Sequence, residues 1–295
     1  MLWTQRHAVG VLGLGIIGSR VAAVLRAKGF RVYVWNRSPK PEPNFLGSPA
    51  EVAGAARTIQ VFVSDEAALD ATIKLLTPGI GRGHTVLLHP TVDPATVRRA
   101  ASAIQATGAA VLEAPFTGSR IAAENAQLVY YIGGDTETLD RARPILEASS
   151  KSIVELGGLG DAAVFKIATN LITASTVQAL GEAVALVRAA GLDPSLLPSA
   201  LAQNAARSGA VDLKLPAILA NDFPPHFSLR NMAKDMRLAE ALASGADLPL
   251  LRAVRAGLDA GVADGWGEED FSVLARRLAP KTDPKPAASE DSASA

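Results

Sequence analysis

Ala8-Val9-Gly10-Val11-Leu12-Gly13-Leu14-Gly15-Ile16-Ile17-Gly18 decides the fold. A short run of buried-strand character, residues 8–12, meets three glycines spaced G-x-G-x-x-G, and the stretch after Gly18 reads as a helix to about Lys28, ended by Gly29. The three glycines serve different ends. Gly13 permits the tight turn, Gly15 lets a pyrophosphate approach the backbone, and Gly18 lets helix and strand pack closely. Leu14, Ile16 and Ile17 complete the loop, whose N–H groups and helix N-terminus favour an anion. Alone, the pattern is weak; with a strand before it, a helix after it and a second strand at 31–35, it reads as a dinucleotide site.

The end of that second strand chooses the cofactor. An acidic residue there would bind a ribose 2′-hydroxyl and repel a 2′-phosphate, but the residues are Asn36, Arg37 and Ser38. Neutral donors and a guanidinium suit a phosphate, so NADP(H) is expected over NAD(H), with NAD possible. The competing reading is an Arg37 on an exposed loop that touches nothing.

Further outward, apolar runs at 58–63, 84–89, 109–113, 127–132 and 152–156 alternate with helical stretches at 67–76 and 94–107, which argues for a parallel sheet covered by helices. Strands stop at residue 161. A helix over 161–190 follows Gly157-Gly158-Leu159-Gly160 and closes at Gly191, with further helices from Asp193-Pro194 and over 230–243, 249–263 and 271–278. The chain therefore divides into an α/β dinucleotide-binding domain, 1–160, an all-helical domain, 161–280, and a tail, 281–295, of Ala, Ser, Pro and charge that should be disordered.

The 161–190 helix would be roughly 45 Å long. Asp161, Lys166, Glu182 and Arg188 are its only charges, so most of its circumference is expected to be buried. Thr169, Asn170, Thr173, Ser175, Thr176 and Gln178 make it too polar for a membrane span. Lys166 leads a polar stripe through Thr169, Asn170 and Thr173. That lysine either snorkels to water or is a partly desolvated amine able to exchange a proton near neutral pH, and spacing does not decide between them.

Composition narrows the functions. Lys plus Arg and Asp plus Glu both number 29, which gives no electrostatic case for nucleic acid or an anionic membrane surface. There is no cysteine, which excludes disulfides and thiol nucleophiles. The N-terminus lacks a secretory signal pattern, so a cytoplasmic location is expected. His84, His89 and His226 show no metal-ligand spacing and read as structural or exposed. Ser119 lacks the G-x-S-x-G elbow of a serine hydrolase. Lys234-Asp235 reads from the helix pattern as a solvated surface pair.

Taken together, the motifs resemble the β-hydroxyacid dehydrogenase family over nearly the whole chain. They run from the glycine loop through Trp35-Asn36-Arg37-Ser38, Thr91-Val92-Asp93-Pro94 and Ala114-Pro115-Phe116-Thr117-Gly118-Ser119 to Lys166-x-x-x-Asn170 and Lys234-Asp235. The resemblance implies a Rossmann-type domain and an all-α domain joined by a long interdomain helix, with the active site between them. It implies Lys166 as the catalytic lysine with Asn170 beside it on the substrate. Thr117, Gly118 and Ser119 would hold the substrate carboxylate, while Val63, Thr91 and Lys234 would lie near the cofactor, which reverses the surface reading of Lys234. The implied substrate is a small carboxylate-bearing aldehyde or ketone, and the implied assembly a homodimer or homotetramer.

The chain departs from the family pattern in several places: Thr117 where serine is commonest, Pro90 before Thr91, and Asn125 where glycine is usual, asparagine being suited to a left-handed turn. Arg120 either adds a carboxylate contact or points to solvent. Imine reductases of the same architecture generally lack the lysine, so Lys166 speaks against that chemistry, and with Asn170 it also speaks against a non-catalytic NADP-binding protein. The helical half is too short for a 6-phosphogluconate dehydrogenase.

Overall fold

The structure, a computed structural model, describes residues 8–278; the expected tail lies outside them. Strands β1 (Ala8–Leu12), β2 (Arg31–Trp35), β3 (Thr58–Val61), β4 (Thr85–Leu88) and β5 (Ala110–Glu113) form a parallel sheet in the order β2-β1-β3-β4-β5. Its strands read as continuous apolar runs because helices cover both faces. One face is packed by α1 (Gly18–Ala27), the other by α2 (Pro49–Ala55), α3 (Glu66–Leu76) and α4 (Pro94–Gln105). A second sheet, β6 (Phe116–Thr117), β7 (Leu128–Ile132) and β8 (Ser150–Glu155), joins the first through an antiparallel bridge between Glu113 and Gly133.

The switch point of the five-stranded sheet lies between β1 and β3, where strand order reverses and the chain carries its glycine loop. Two glycines there are sterically compelled. Gly13 has φ +95°, and a Cβ on it would lie 2.0 Å from the Phe62 carbonyl oxygen; a Cβ on Gly18 would lie 2.0 Å from the Gly13 carbonyl oxygen.

Two helices absent from the sequence expectations, α6 (Thr136–Ser149) and α9 (Gly209–Ala220), each tolerate an internal proline, Pro144 and Pro216. Short α5 (Arg120–Glu124) ends in a turn whose left-handed residue is Ala126 (φ +55°) and not Asn125, which sits at φ −98°. Asn125 instead caps the helix end, its Nδ2 donating to the Ile121 carbonyl at 2.9 Å.

Helix α7 (Asp161–Ala189) opens the helical domain at Gly160, in a left-handed conformation. Glu113, at the end of β5, accepts the Gly160 N–H at 2.7 Å and faces the N–H groups of Ala162 and Ala163. Burial pushes its carboxyl up to about 7, against the pull of those N–H groups. Around α7 pack α8 (Leu197–Leu201), α9, α10 (Leu229–Leu242), α11 (Pro249–Ala263) and a 3-10 helix, Phe271–Leu278.

The expectation that α7 is buried around most of its circumference does not hold for the single chain. Phe165, Ile172 and Leu186 are 50%, 67% and 71% exposed, because its neighbours cover one side only. By length and composition alone α7 would pass for a membrane span, with a mean hydropathy of 1.3 over its most apolar window. Its buried side nonetheless carries Lys166 and Asn170, hydrogen-bonded into the protein.

Candidate active site

The cleft between the two domains encloses a cavity of about 240 Å³. From the α/β side it is lined by Gly15, Ile16, Ile17 and Gly18, by Phe62, Val63 and Ser64 after β3, by His89, Pro90 and Thr91 after β4, and by Phe116 and Gly118. The helical domain contributes His226, Phe227 and Ser228 and, from α10, Asn231, Lys234 and Asp235. These loops follow the C-terminal ends of parallel strands, where open α/β sheets bind ligands.

The glycine loop fits a dinucleotide. A Cβ on Gly15 would meet nothing within 4 Å, so space lies open above its backbone. Helix α1 has neither a side-chain cap nor an acidic residue in its first turn, whereas α2, α3, α4, α5 and α6 are capped by Ser48, Asp65, Asp93, Ser119 and Asp135. The Ser19 and Arg20 N–H groups turn back to the Gly15 and Ile17 carbonyls at 3.3 and 3.0 Å, which leaves the Gly18 N–H at the helix start available to a phosphate. Beneath the cavity, Gly13 N donates to the Trp35 carbonyl at 2.8 Å and Leu14 N to Asn36 Oδ1 at 2.9 Å.

Asn36 is therefore engaged within the protein, its Nδ2 donating in turn to the Ser38 carbonyl at 2.8 Å. Arg37 and Ser38 are exposed outside the cavity, at the end of β2. Arg37 is near enough to Asp65 to help hold its carboxyl below the usual range, after the larger effects of hydrogen bonds from Ser64 and Ala68. Lys40, to which no sequence motif points, reaches the loop and donates from Nζ to the Leu14 carbonyl at 2.6 Å.

A polar chain of four residues runs behind and into the cavity wall. Lys166 Nζ donates to Asn170 Oδ1 at 2.8 Å, and Asn170 Nδ2 donates to Asp235 Oδ2 at 2.6 Å. Lys234 Nζ donates to Asp235 Oδ1 at 2.7 Å and to the Thr91 carbonyl, which ties the helical domain to the loop after β4. Lys166 and Asn170 are 8% and 6% exposed and sit one layer behind the lining residues. Burial pulls the Lys166 ammonium down to about 8, although Asp235 opposes the shift; Lys234 adds to it.

The surface reading of Lys234-Asp235 is overturned: Asp235 is fully buried. The buried stripe of α10 includes Met232, Ala233, Asp235, Met236 and Ala239, and it admits Asp235 because that carboxylate is paired.

Of the three residues expected to hold the substrate carboxylate, Gly118 lines the cavity, with φ +131°. Thr117 pairs with Val129 in the second sheet, and the Ser119 hydroxyl accepts the Ala122 N–H as the cap of α5. His89 is a wall residue: its Nδ1 lies 2.7 Å from the Ala114 carbonyl and its ring stacks on Phe62 at 4.1 Å. Burial lowers its pKa to about 3, so it stays neutral. His84 is buried beneath the sheet, its Nε2 3.1 Å from the Ala53 carbonyl. No group of three or more possible ligands gathers for a metal among the described residues.

His226, structural or exposed by its spacing, lines the cavity. The loop bearing it is stapled from below by Asp270, which is 2% exposed and accepts the His226 and Phe227 N–H groups at 3.0 and 3.1 Å. Lys214 Nζ meets both Asp270 oxygens at 2.7 Å, and Ser272 donates from N and Oγ. No sequence signal links residues this far apart, since neither charge breaks a local pattern visibly.

Two family models match the chain. Residues 8–158 match the NAD binding domain of 6-phosphogluconate dehydrogenase, and residues 160–278 match the NAD-binding domain of NADP-dependent 3-hydroxyisobutyrate dehydrogenase. Over 283 residues the chain is 32% identical to a chloroplastic glyoxylate/succinic semialdehyde reductase 2 of Arabidopsis thaliana, covering 92% of this chain and 79% of that protein. The chain belongs to the β-hydroxyacid dehydrogenase family. It is an NAD(P)-dependent oxidoreductase acting on a CH–OH group.

Other members agree. The 2-hydroxy-3-oxopropionate reductase of Escherichia coli (strain K12) is 27% identical over 281 residues, 92% of this chain and 96% of that one. A Mycobacterium tuberculosis 3-hydroxyisobutyrate dehydrogenase solved with L-serine superposes with a TM-score of 0.83 at 25% identity, over 92% of this chain and 99% of that chain. The architecture is thus that of the family: an α/β dinucleotide domain, then a helical domain entered through one long helix.

Proposed function

We propose that this β-hydroxyacid dehydrogenase reduces a small oxo acid or acid semialdehyde with NADPH, reversibly, using Lys166 as the proton donor. The single observation that carries the reading is the Lys166–Asn170–Asp235–Lys234 chain, its first three members buried and its last tied to the loop after β4: a lysine near pKa 8 at the joint of the two domains. A nicotinamide dinucleotide held at the loop from Gly13 to Gly18 would supply the hydride for the carbonyl carbon. Lys166 then gives its proton to the forming alkoxide oxygen, and in the oxidative direction the neutral amine removes the hydroxyl proton. To reach the substrate, Lys166 releases Asn170 Oδ1. Asn170 can then turn to the substrate oxygen, while Asp235 keeps a countercharge near both ammonium groups. The carboxylate lies toward Gly118.

The preference for NADPH rests on the absence of an acid after β2 and on the exposed guanidinium of Arg37, with Lys40 close to the loop. Losing one hydrogen bond to a charged group costs about 1.5–3 kcal/mol, or roughly 10- to 100-fold. NADPH should therefore exceed NADH in kcat/KM by about that factor, and Arg37→Ala should remove most of the difference. Equal constants for the two cofactors in the wild type would sink the preference. Absorbance at the nicotinamide band, followed with glyoxylate, succinic semialdehyde, tartronate semialdehyde and methylmalonate semialdehyde, tests the reaction itself. Oxidation of the cofactor by none of them would reject it.

The exposed apolar side of α7 we assign to a second copy of the chain, since Phe165, Ile172 and Leu186 together make a stripe that water disfavours. Light scattering should give at least twice the mass of one chain, and Ile172→Glu should lower it. A wild-type mass of one chain at micromolar concentration would contradict this.

A further inference from the structure

One wall of the cavity and the layer behind it carry polar groups that the reaction described above does not use, Arg120 behind the wall and His226 at the cavity itself. His226 lines it, and its Nδ1 is buried with no hydrogen-bond partner among the described residues. Arg120, half-buried and two residues beyond the cavity-lining Gly118, makes no ion pair or hydrogen bond among them, and its Nε is a buried donor without a partner. Burying an arginine donor unpaired is costly unless something else meets it.

The neighbouring charges are already matched. The groups that act on His226 are Lys214, Asp270, Arg120 and Glu124. Lys214 and Asp270 neutralise one another at 2.7 Å, and Glu124 is taken by Arg20 at 2.8 Å. Arg120 is left as the unmatched cation of the group. It comes from the α/β side, whereas His226 comes from the helical side and is fixed in place by the Asp270 staple under its backbone. Both are rigidly mounted: Arg120 is the first residue of α5, directly after its Ser119 cap.

We propose that Arg120 and His226 form a two-sided clamp for the substrate carboxylate, one donor from each domain, beside Gly118. The assignment rests on the oxo-acid reductase reading and specifies it: the clamp selects aldehydes that carry a carboxylate over uncharged ones. It adds charged and imidazole donors to those of the 117–119 segment, where the Ser119 hydroxyl oxygen already accepts the Ala122 N–H as the cap of α5. Because the donors belong to different domains, a carboxylate between them also holds the cleft closed.

The test compares two four-carbon aldehydes, succinic semialdehyde and butanal, under NADPH, in the wild type, Arg120→Met, Arg120→Lys and His226→Leu. NADPH binding by fluorescence and the melting temperature serve as checks on folding. The wild type should favour the acid in kcat/KM. Arg120→Met should cut that preference by about 10- to 100-fold, with the loss falling on KM, and Arg120→Lys should restore part of it. His226→Leu should cut the preference several-fold. A preference unchanged in both Arg120→Met and His226→Leu, or an equal loss for both aldehydes, overturns the clamp and leaves the reductase reading standing. A wild type that reduces butanal as well as the acid does the same. A wild type that reduces neither this acid nor any other oxo acid overturns the reductase reading and the clamp with it.

Discussion

Lys166→Met lowers turnover by about 10²- to 10⁴-fold and leaves NADPH binding intact. Positioned proton transfer contributes about that factor, and methionine fills a similar volume with no proton to give. The residue is buried on α7, and its amine is held by Asn170 while Asp235 stands next in line. Losing the proton donor leaves hydride transfer to form an unprotonated alkoxide, so the chemical step and not cofactor affinity suffers. Stopped-flow NADPH oxidation under single-turnover conditions, with cofactor binding by fluorescence, separates the two. Wild-type turnover in the variant would remove Lys166 from the mechanism.

Asp270→Asn destabilises the protein by about 3–5 kcal/mol, the usual cost of removing one partner of a buried ion pair. At roughly 2–4 °C per kcal/mol for a chain of this size, the melting temperature falls on the order of 10 °C. The carboxylate accepts two contacts from Lys214, two backbone N–H groups from the loop at 226–227, and two from Ser272. Burial would raise its pKa, but Lys214 and Ser272 more than reverse that, leaving the carboxyl below the ordinary range. Lys214 in turn lies over the Phe271 ring at 4.7 Å. The double variant Lys214→Met, Asp270→Leu should recover part of the loss, because no unpaired charge is then buried, although the loop N–H groups stay unmet. A melting temperature within about 2 °C of wild type for Asp270→Asn would show that the staple carries little.

The dinucleotide half was legible because its constraints are local. A turn at positive φ next to a strand, and a helix start without Cβ atoms, leave glycines at fixed spacing, and Gly13, Gly15 and Gly18 announce them. The absence of an acid after β2 could likewise be read off, but the use of the Asn36 amide to hold the Leu14 N–H could not. On α7 the polar stripe pointed to Lys166 and Asn170, and the third member of their chain, Asp235, lies 65 positions from Asn170. Its own helix gave a misleading signal, since a buried carboxylate looks like a surface residue until its donors are known. The same holds for Asp270, for His226 and for Arg120, whose environments are made by chain segments far apart in sequence. Nor could periodicity show that α7 is covered on one side: an all-round apolar helix reads alike whether its cover comes from its own chain or from another.

The most direct test is the pH dependence of reductive kcat/KM. Burial lowers Lys166 to about 8 from 10.5, so the donor is protonated below that pH and is lost above it. Reduction should therefore hold up to about pH 8 and fall tenfold per unit beyond it, while oxidation rises through the same range; Lys166→Met should lack both limbs. A reductive profile in the wild type that is flat from pH 6.5 to 9.5, or one that Lys166→Met retains, would contradict the account.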